Sequence, residues 1–353
     1  MIINADDEKI VRMGRFEYTD RNSVKMFHAG TQLFVKFRGT SINVILINVT
    51  SWGDVSLGYV IDGNVKHFPL DNQNNNYKEV KLELCKDLDD NEHTLIIYKK
   101  HAGNNYHEIL SFETDGEFLI ADSLPELKIE VYGDSVCAGE VINAKGYEGK
   151  QDPEGHNSKY DDVWNSFVMQ TARNLNAQIH NICQGGIALL NGTGYFHAPE
   201  YIGLESSYDK ICYVPSFCEP SHWDFGNYIP DIVIIAIGQN DKHNGFTNSD
   251  DLDIYDNAYR TLWKNAYKKF MNELNVRYNN PTFILTTTIL MHDAEWDNAI
   301  EEIKNEMSCN GLKVYHNIFT RNGSATPGHP RLSEHNEMAG ELTAFITTTY
   351  APA

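Results

Sequence analysis

Ser135, His329, Asn240 and the pair Gly185-Gly186 are the residues of this 353-residue chain whose types fit acyl-transfer chemistry. A serine hydroxyl is a poor nucleophile until a neighbouring imidazole takes its proton. The tetrahedral intermediate that follows carries a developing oxyanion, for which backbone N–H groups and an asparagine amide are suitable donors. Each residue also has a plain structural reading. Gly133-Asp134-Ser135 is a common way to leave a strand, because Gly supplies permissive dihedrals while Asp and Ser bond the turn backbone. Gly238-Gln239-Asn240-Asp241 is turn-rich, Gly185-Gly186 fits a tight turn, and His329 is one of 14 histidines.

What separates the two readings is where the secondary structure puts these residues. From residue 126 the chain alternates strand and helix patterns. The expected strands are 127–132, 177–183, 231–238, 282–290 and 313–318; the third is almost continuously apolar, as strands buried on both faces are. Val163, Trp164, Phe167, Val168, Thr171 and Leu175 mark one helix. A longer one is drawn by Ile254, Ala258, Leu262, Ala266, Phe270 and Leu274, with Tyr255, Tyr259, Trp263, Tyr267 and Met271 in the adjacent column. Helices over 296–307 and after a Ser333 N-cap complete a doubly wound α/β domain with a mostly parallel, five-stranded sheet. Ligands bind such sheets beyond the carboxyl ends of the strands. Ser135 follows the first strand, Gly185-Gly186 the second, Asn240 the third, and His329 stands in the loop before the last helix. All four land on one sheet edge, where coincidence is the weaker reading.

Before residue 123 the pattern has period two. Leu33, Val35 and Phe37 alternate with other residues, as do Leu57, Tyr59 and Ile61, and Val80, Leu82 and Leu84, with Asp62-Gly63-Asn64 and other polar turns between them. Short alternating strands at that spacing predict an all-β sandwich, jelly-roll-like, over 1–122, ahead of the α/β domain over 123–353.

With 29 basic and 49 acidic residues the net charge is −20, which argues against nucleic acid or an anionic membrane as partner. Six irregularly spaced cysteines do not make a disulfide framework; Cys212 and Cys218 are close enough to pair, but free thiols are the simpler expectation. No metal-ligand motif appears, so neither metal nor cofactor is expected. No apolar run reaches spanning length and the N-terminus lacks a signal pattern. Read literally that means cytoplasmic, or secreted if a leader has been removed. Homo-oligomerisation is left open.

These four loops resemble the blocks of the SGNH (GDSL-type) hydrolases. Gly133-Asp134-Ser135 is similar to the first block, Asn181 with Gly186 to the second, Gly238-Gln239-Asn240-Asp241 to the third, and His329-Pro330 to the fourth. With a sandwich ahead of that domain, the whole chain looks like the two-domain carbohydrate esterases of family 2, which remove O-acetyl groups from xylan, glucomannan and related sugars. The resemblance implies Ser135 as nucleophile and His329 as general base, then acid. It implies the Ser135 N–H, the Gly186 N–H and the Asn240 side chain as oxyanion donors. Trp223 is an expected wall for the sugar, set against an equally plain reading as a packed tryptophan. One departure stands out: Thr326 and Pro327 occupy the positions where such enzymes carry an Asp. The expectation is therefore a Ser–His dyad, with a carbonyl near Thr326 orienting the ring; His335 is the rival base, read as packing near the start of the last helix. A lipase- or thioesterase-like hydrolase, or an inactive carbohydrate-binding protein, are the competing functions.

Overall fold

Alternating apolar residues build the first of two units in the computed structural model, which describes residues 1–325 and 327–350. That unit comprises Met1–Leu124 with Asn157–Lys159 and Ile211–Ser221. It is a sandwich of two six-stranded antiparallel sheets. One sheet orders Phe16–Tyr18, Val24–Met26, Asn105–Thr114, Ile42–Thr50 and Glu79–Cys85, with Ile2–Asn4 also on Asn105–Thr114. The other orders Glu117–Leu119, Gln32–Gly39, Asn91–Lys99, Ser56–Ile61 and Asn64–Pro69, with Val11–Met13 on Gln32–Gly39. Leu33, Val35 and Phe37 from one sheet and Val44, Leu46 and Ile109 from the other share one buried core, so the period-two pattern is the sandwich interior. Cys212 and Cys218, expected as free thiols, are paired. The bond from Phe217 N–H to the Val214 carbonyl folds the segment back and sets their Cα atoms 6.5 Å apart, within bridging range.

The second unit holds the remainder of the chain. Its sheet has five strands: β1 Lys128–Gly133, β2 Gln178–Cys183, β3 Ile232–Ala236, β4 Thr282–Thr286 and β5 Lys313–His316. They lie in the order β2-β1-β3-β4-β5, every pairing parallel, which is the flavodoxin-like arrangement. All five residues of β3 and of β4 are buried, as strands covered on both faces require. The helices that frame the sheet are α1 Ser135–Ala138, α2 Phe167–Asn174, α3 Asn257–Tyr278, α4 Glu295–Cys309 and α5 Leu332–Thr349, and a further single turn spans Leu204–Ser207. Among the described residues no helix is long and apolar enough to cross a membrane.

Three expectations shift. The helix expected from Val163 is a 3-10 turn, Val163–Asn165, broken by extended Ser166 before α2 starts. α3 begins after Asp256, whose carboxylate accepts from Ala258 and Tyr259 N–H, and its buried face is Trp263, Tyr267, Phe270, Met271, Leu274 and Tyr278. Leu262 points outward, because period four drifts off a 3.6-residue turn over that length. α5 starts at Leu332, so Ser333 lies in its first turn and its hydroxyl donates to Glu148; the Glu334 carboxylate caps the Arg331 N–H.

Candidate active site

Ser135 opens α1 directly after β1, and Asp134 sets its geometry. Asp134 caps the helix by accepting from Val136 N–H at 3.0 Å and receives Gln239 Nε2 at 2.6 Å, tying the loop after β1 to the loop after β3. Burial first raises its carboxyl to about 6, against those hydrogen bonds. The loop after β2 continues alongside, with Gln184 N–H donating to the Gly133 carbonyl. Gly186 has φ +71°, and a Cβ there would fall 2.9 Å from that of Tyr195, so only glycine fits. Asn240 donates one amide N–H to the Ile187 carbonyl at 3.0 Å. An NH2 group has two hydrogens, and among the described residues no acceptor takes the second. Asp241 binds the same loops together, accepting from Leu189 N–H at 2.9 Å and Trp263 Nε1 at 2.7 Å.

His329 completes the edge. Its Nε2 lies 2.8 Å from Ser135 Oγ, and its Nδ1 lies 2.5 Å from Asp152 Oδ2. An ionised carboxylate only accepts, so Nδ1 carries the hydrogen and Nε2 presents its lone pair to the serine hydroxyl. The structure thus corrects the expected dyad: a carboxylate, from the segment between α1 and α2, occupies the ring nitrogen that a carbonyl was expected to hold. Thr326 itself lies outside the described residues.

Asp152 reaches across 177 residues of sequence because two loops dock there. Leu332 N–H donates to the Ile142 carbonyl, and Gly328 leaves the space Asp152 fills; a Cβ at 328 would lie 2.6 Å from Asp152 Oδ1 and 2.8 Å from its backbone nitrogen. The fully buried Arg331 guanidinium donates to Asp152 Oδ1 at 2.8 Å and to the His329 carbonyl, while His329 N–H donates to the same Oδ1 at 3.0 Å. Partial burial alone would raise the Asp152 carboxyl; the bonds to His329 and Arg331 outweigh it and hold the group well below the usual carboxylate range. Burial likewise works to lower the His329 imidazole, yet the bond to Asp152 and the negative charge of that carboxylate raise it on balance. The arrangement can lift a proton from Ser135 and keep the resulting imidazolium stabilised.

Two other sequence candidates sit elsewhere. His335 is fully buried, and its Nδ1 accepts from Phe167 N–H at 3.0 Å; burial, then the positive charges of His329 and Arg331, push it down to about 3. It caps α2 as a neutral ring. Trp223 packs edge-on against His180, midway along β2, with ring centroids 5.7 Å apart, and His180 in turn stacks on Tyr228. That is a packing position, not one at the carboxyl end of the strand. Asp152, Gly328 and Arg331 were missed by sequence reasoning, and none of the three carried a signal that sets it apart from other loop residues. Among the described residues no group of three or more His, Cys, Asp or Glu side chains could hold a metal.

Residues 12–122 match the family described as Carbohydrate esterase 2 N-terminal. The chain is 28% identical to a cellulase/esterase, CelE, of Acetivibrio thermocellus, over 97% of its own length and 40% of that protein's. It is 27% identical to an acetylxylan esterase/glucomannan deacetylase of Cellvibrio japonicus, over 97% and 89% respectively. Among solved structures, a family two carbohydrate esterase from Clostridium thermocellum in complex with cellohexaose matches with a TM-score of 0.78 and 26% identity, covering 96% of this chain and 98% of that one. One from Cellvibrio japonicus matches at 0.79 and 25%, covering 99% and 97%. By these likenesses, and with the Ser, Gly, Asn and His loops gathered at one sheet edge, the chain resembles the carbohydrate esterases of family 2 along nearly its whole length, while it spans less than half of the first of these relatives.

Proposed function

We propose that this chain is a serine esterase that removes O-acetyl groups from plant cell-wall carbohydrates, acetylated xylan, glucomannan or their oligosaccharides, through a Ser135–His329–Asp152 triad. The observation that carries it is the chain of contacts from Ser135 Oγ to His329 Nε2 at 2.8 Å and from His329 Nδ1 to Asp152 at 2.5 Å. It also weighs against an inactive binding protein, which has no use for an ionised carboxylate held on the imidazole. The names of the relatives, an acetylxylan esterase/glucomannan deacetylase and a cellohexaose-bound esterase, support the substrate class.

As Ser135 Oγ attacks the acetyl carbon, its proton passes to His329 Nε2 while Nδ1–H stays on Asp152. The carbonyl oxygen becomes an oxyanion, met by the N–H groups of Ser135 and Gly186 and the second amide hydrogen of Asn240. On collapse the bond to the sugar oxygen breaks, and Nε2–H protonates that oxygen. Water then repeats the sequence on the acetyl-enzyme and releases acetate. Arg331 acts one step back, keeping Asp152 charged throughout.

The test is hydrolysis of chromogenic acetate, butyrate and octanoate esters, then of acetylated xylo- and glucomanno-oligosaccharides, by wild type and Ser135→Ala. Acetate preference, sugar deacetylation and loss of both in the variant are expected. Octanoate preference would favour a lipase-like enzyme, and turnover unchanged by the substitution would remove Ser135 from the chemistry.

A further inference from the structure

The mechanism leaves one carboxyl at the reacting edge unused. Glu140, five residues after Ser135, donates its backbone N–H to the Ser135 carbonyl at 3.0 Å. Its side chain is 24% exposed and its Oε2 lies 3.9 Å from His329 Nε2, the nitrogen that faces the substrate. On the other side it abuts the glycine loop: a Cβ on Gly185 would lie 1.7 Å from Glu140 Oε1, so the carboxyl occupies the space that residue leaves free. Among the described residues none donates a hydrogen bond to this carboxyl. It therefore stands between the base and the glycine loop, partly exposed, with its hydrogen-bonding capacity unspent.

We propose that Glu140 is a specificity-determining residue whose carboxyl hydrogen-bonds a sugar hydroxyl flanking the scissile ester. The inference rests on the carbohydrate reading above. Nε2 must deliver a proton to the departing sugar oxygen, so a group 3.9 Å from Nε2 lies beside the substituents that flank that oxygen. A carboxylate there would oppose the oxyanion, whereas a neutral carboxyl offers one donor and one acceptor to a hydroxyl. Burial first, then the charge of Asp161, raise this carboxyl well above the usual carboxylate range against the pull of His329, so its neutral form is favoured.

The experiment compares kcat/KM on an acetylated xylo-oligosaccharide with kcat/KM on an aryl acetate, for wild type, Glu140→Gln and Glu140→Ala. Loss of a hydrogen-bonding partner for a substrate hydroxyl predicts that Glu140→Ala lowers the sugar-to-aryl ratio by about tenfold or more. Glu140→Gln keeps a donor and an acceptor on the same skeleton and holds the ratio within about threefold of wild type. A ratio unmoved by Glu140→Ala overturns the inference. So does a parallel fall on both substrates in both variants with a shifted acid limb, which would mean a carboxylate acting on His329. A wild type that cleaves aryl acetate but no sugar acetate sinks the carbohydrate reading itself, and this inference with it.

Discussion

The loop that carries His329 and the first turn of α5 that carries His335 lie six residues apart and treat an imidazole in opposite ways. In the loop, a carboxylate takes Nδ1–H and a serine hydroxyl faces Nε2, so the ring is built to gain a proton. In the helix, the ring accepts a backbone N–H in a fully buried site and is built never to gain one. Burial disfavours the charged form of both; what differs is the partner. A histidine count or a spacing rule cannot rank them, whereas the group on Nδ1 does.

The largest effect that separates the two regions is on turnover. His329→Ala is expected to cost about 10⁵-fold or more in kcat, as loss of a triad base does, with little change in melting temperature. Acetate release and thermal unfolding, measured together, check it. Asp152→Asn comes next, at roughly a thousandfold or more, because an amide on Nδ1 no longer selects the tautomer or supports the imidazolium. A loss of only a few-fold would return the site to a working dyad and make Asp152 a structural acceptor.

A smaller change sharpens the same contrast without touching either charge. In Gly328→Ala the added methyl meets Asp152 Oδ1 at 2.6 Å and its backbone nitrogen at 2.8 Å, so one of the two docked loops must shift. We expect a fall in kcat of about 10- to 100-fold, in line with the sensitivity of triads to an ångström-scale misplacement. The pH profile gives an independent reading. His329 must be neutral to accept the serine proton, and its pKa is raised above 6.5, so kcat/KM is full above that raised value and falls as pH drops through it. In Asp152→Asn the residual acid limb moves to lower pH, since the bond and charge that raise the imidazole are gone.

The sequence made much of this legible, for reasons that can be located. Strand periodicity and the apolar runs placed β1 to β5, and the rule that ligands bind beyond strand ends then placed Ser135, Gly186, Asn240 and His329 on one edge. Asp152 was not legible. It lies in a loop with five other carboxylates, Glu140, Glu148, Glu154, Asp161 and Asp162, and nothing in that stretch says which one crosses to His329. The contact is made by the docking of two loops, and the residue that permits it, Gly328, reads in sequence as an ordinary loop glycine. Trp223 was left between two readings for a related reason: an aromatic in a long insertion has no period to say which way it faces. Glu140 was passed over because it lies five residues beyond the Gly133-Asp134-Ser135 motif that drew attention to Ser135.

The smallest expected effect is on stability, and it belongs to His335. Its imidazole titrates at about 3 in the folded protein against an ordinary value of 6.5, burial being the main cause. Between those values the unfolded chain binds a proton that the native state refuses. The unfolded state then holds more protons, so stability rises with pH across that window and falls as pH is lowered from about 6.5 towards about 3. His335→Gln removes the titrating group while keeping an oxygen that can accept the Phe167 N–H. We expect the variant to be destabilised by about 1–2 kcal/mol at pH 7, from imperfect packing and a weakened hydrogen bond. Its urea midpoint should then converge on that of wild type as pH is lowered to 4.5, since only wild type carries the histidine penalty. Parallel curves would mean that His335 takes up its proton in the folded state, and the division between the two histidines would have to be redrawn around a charged ring at the start of α2.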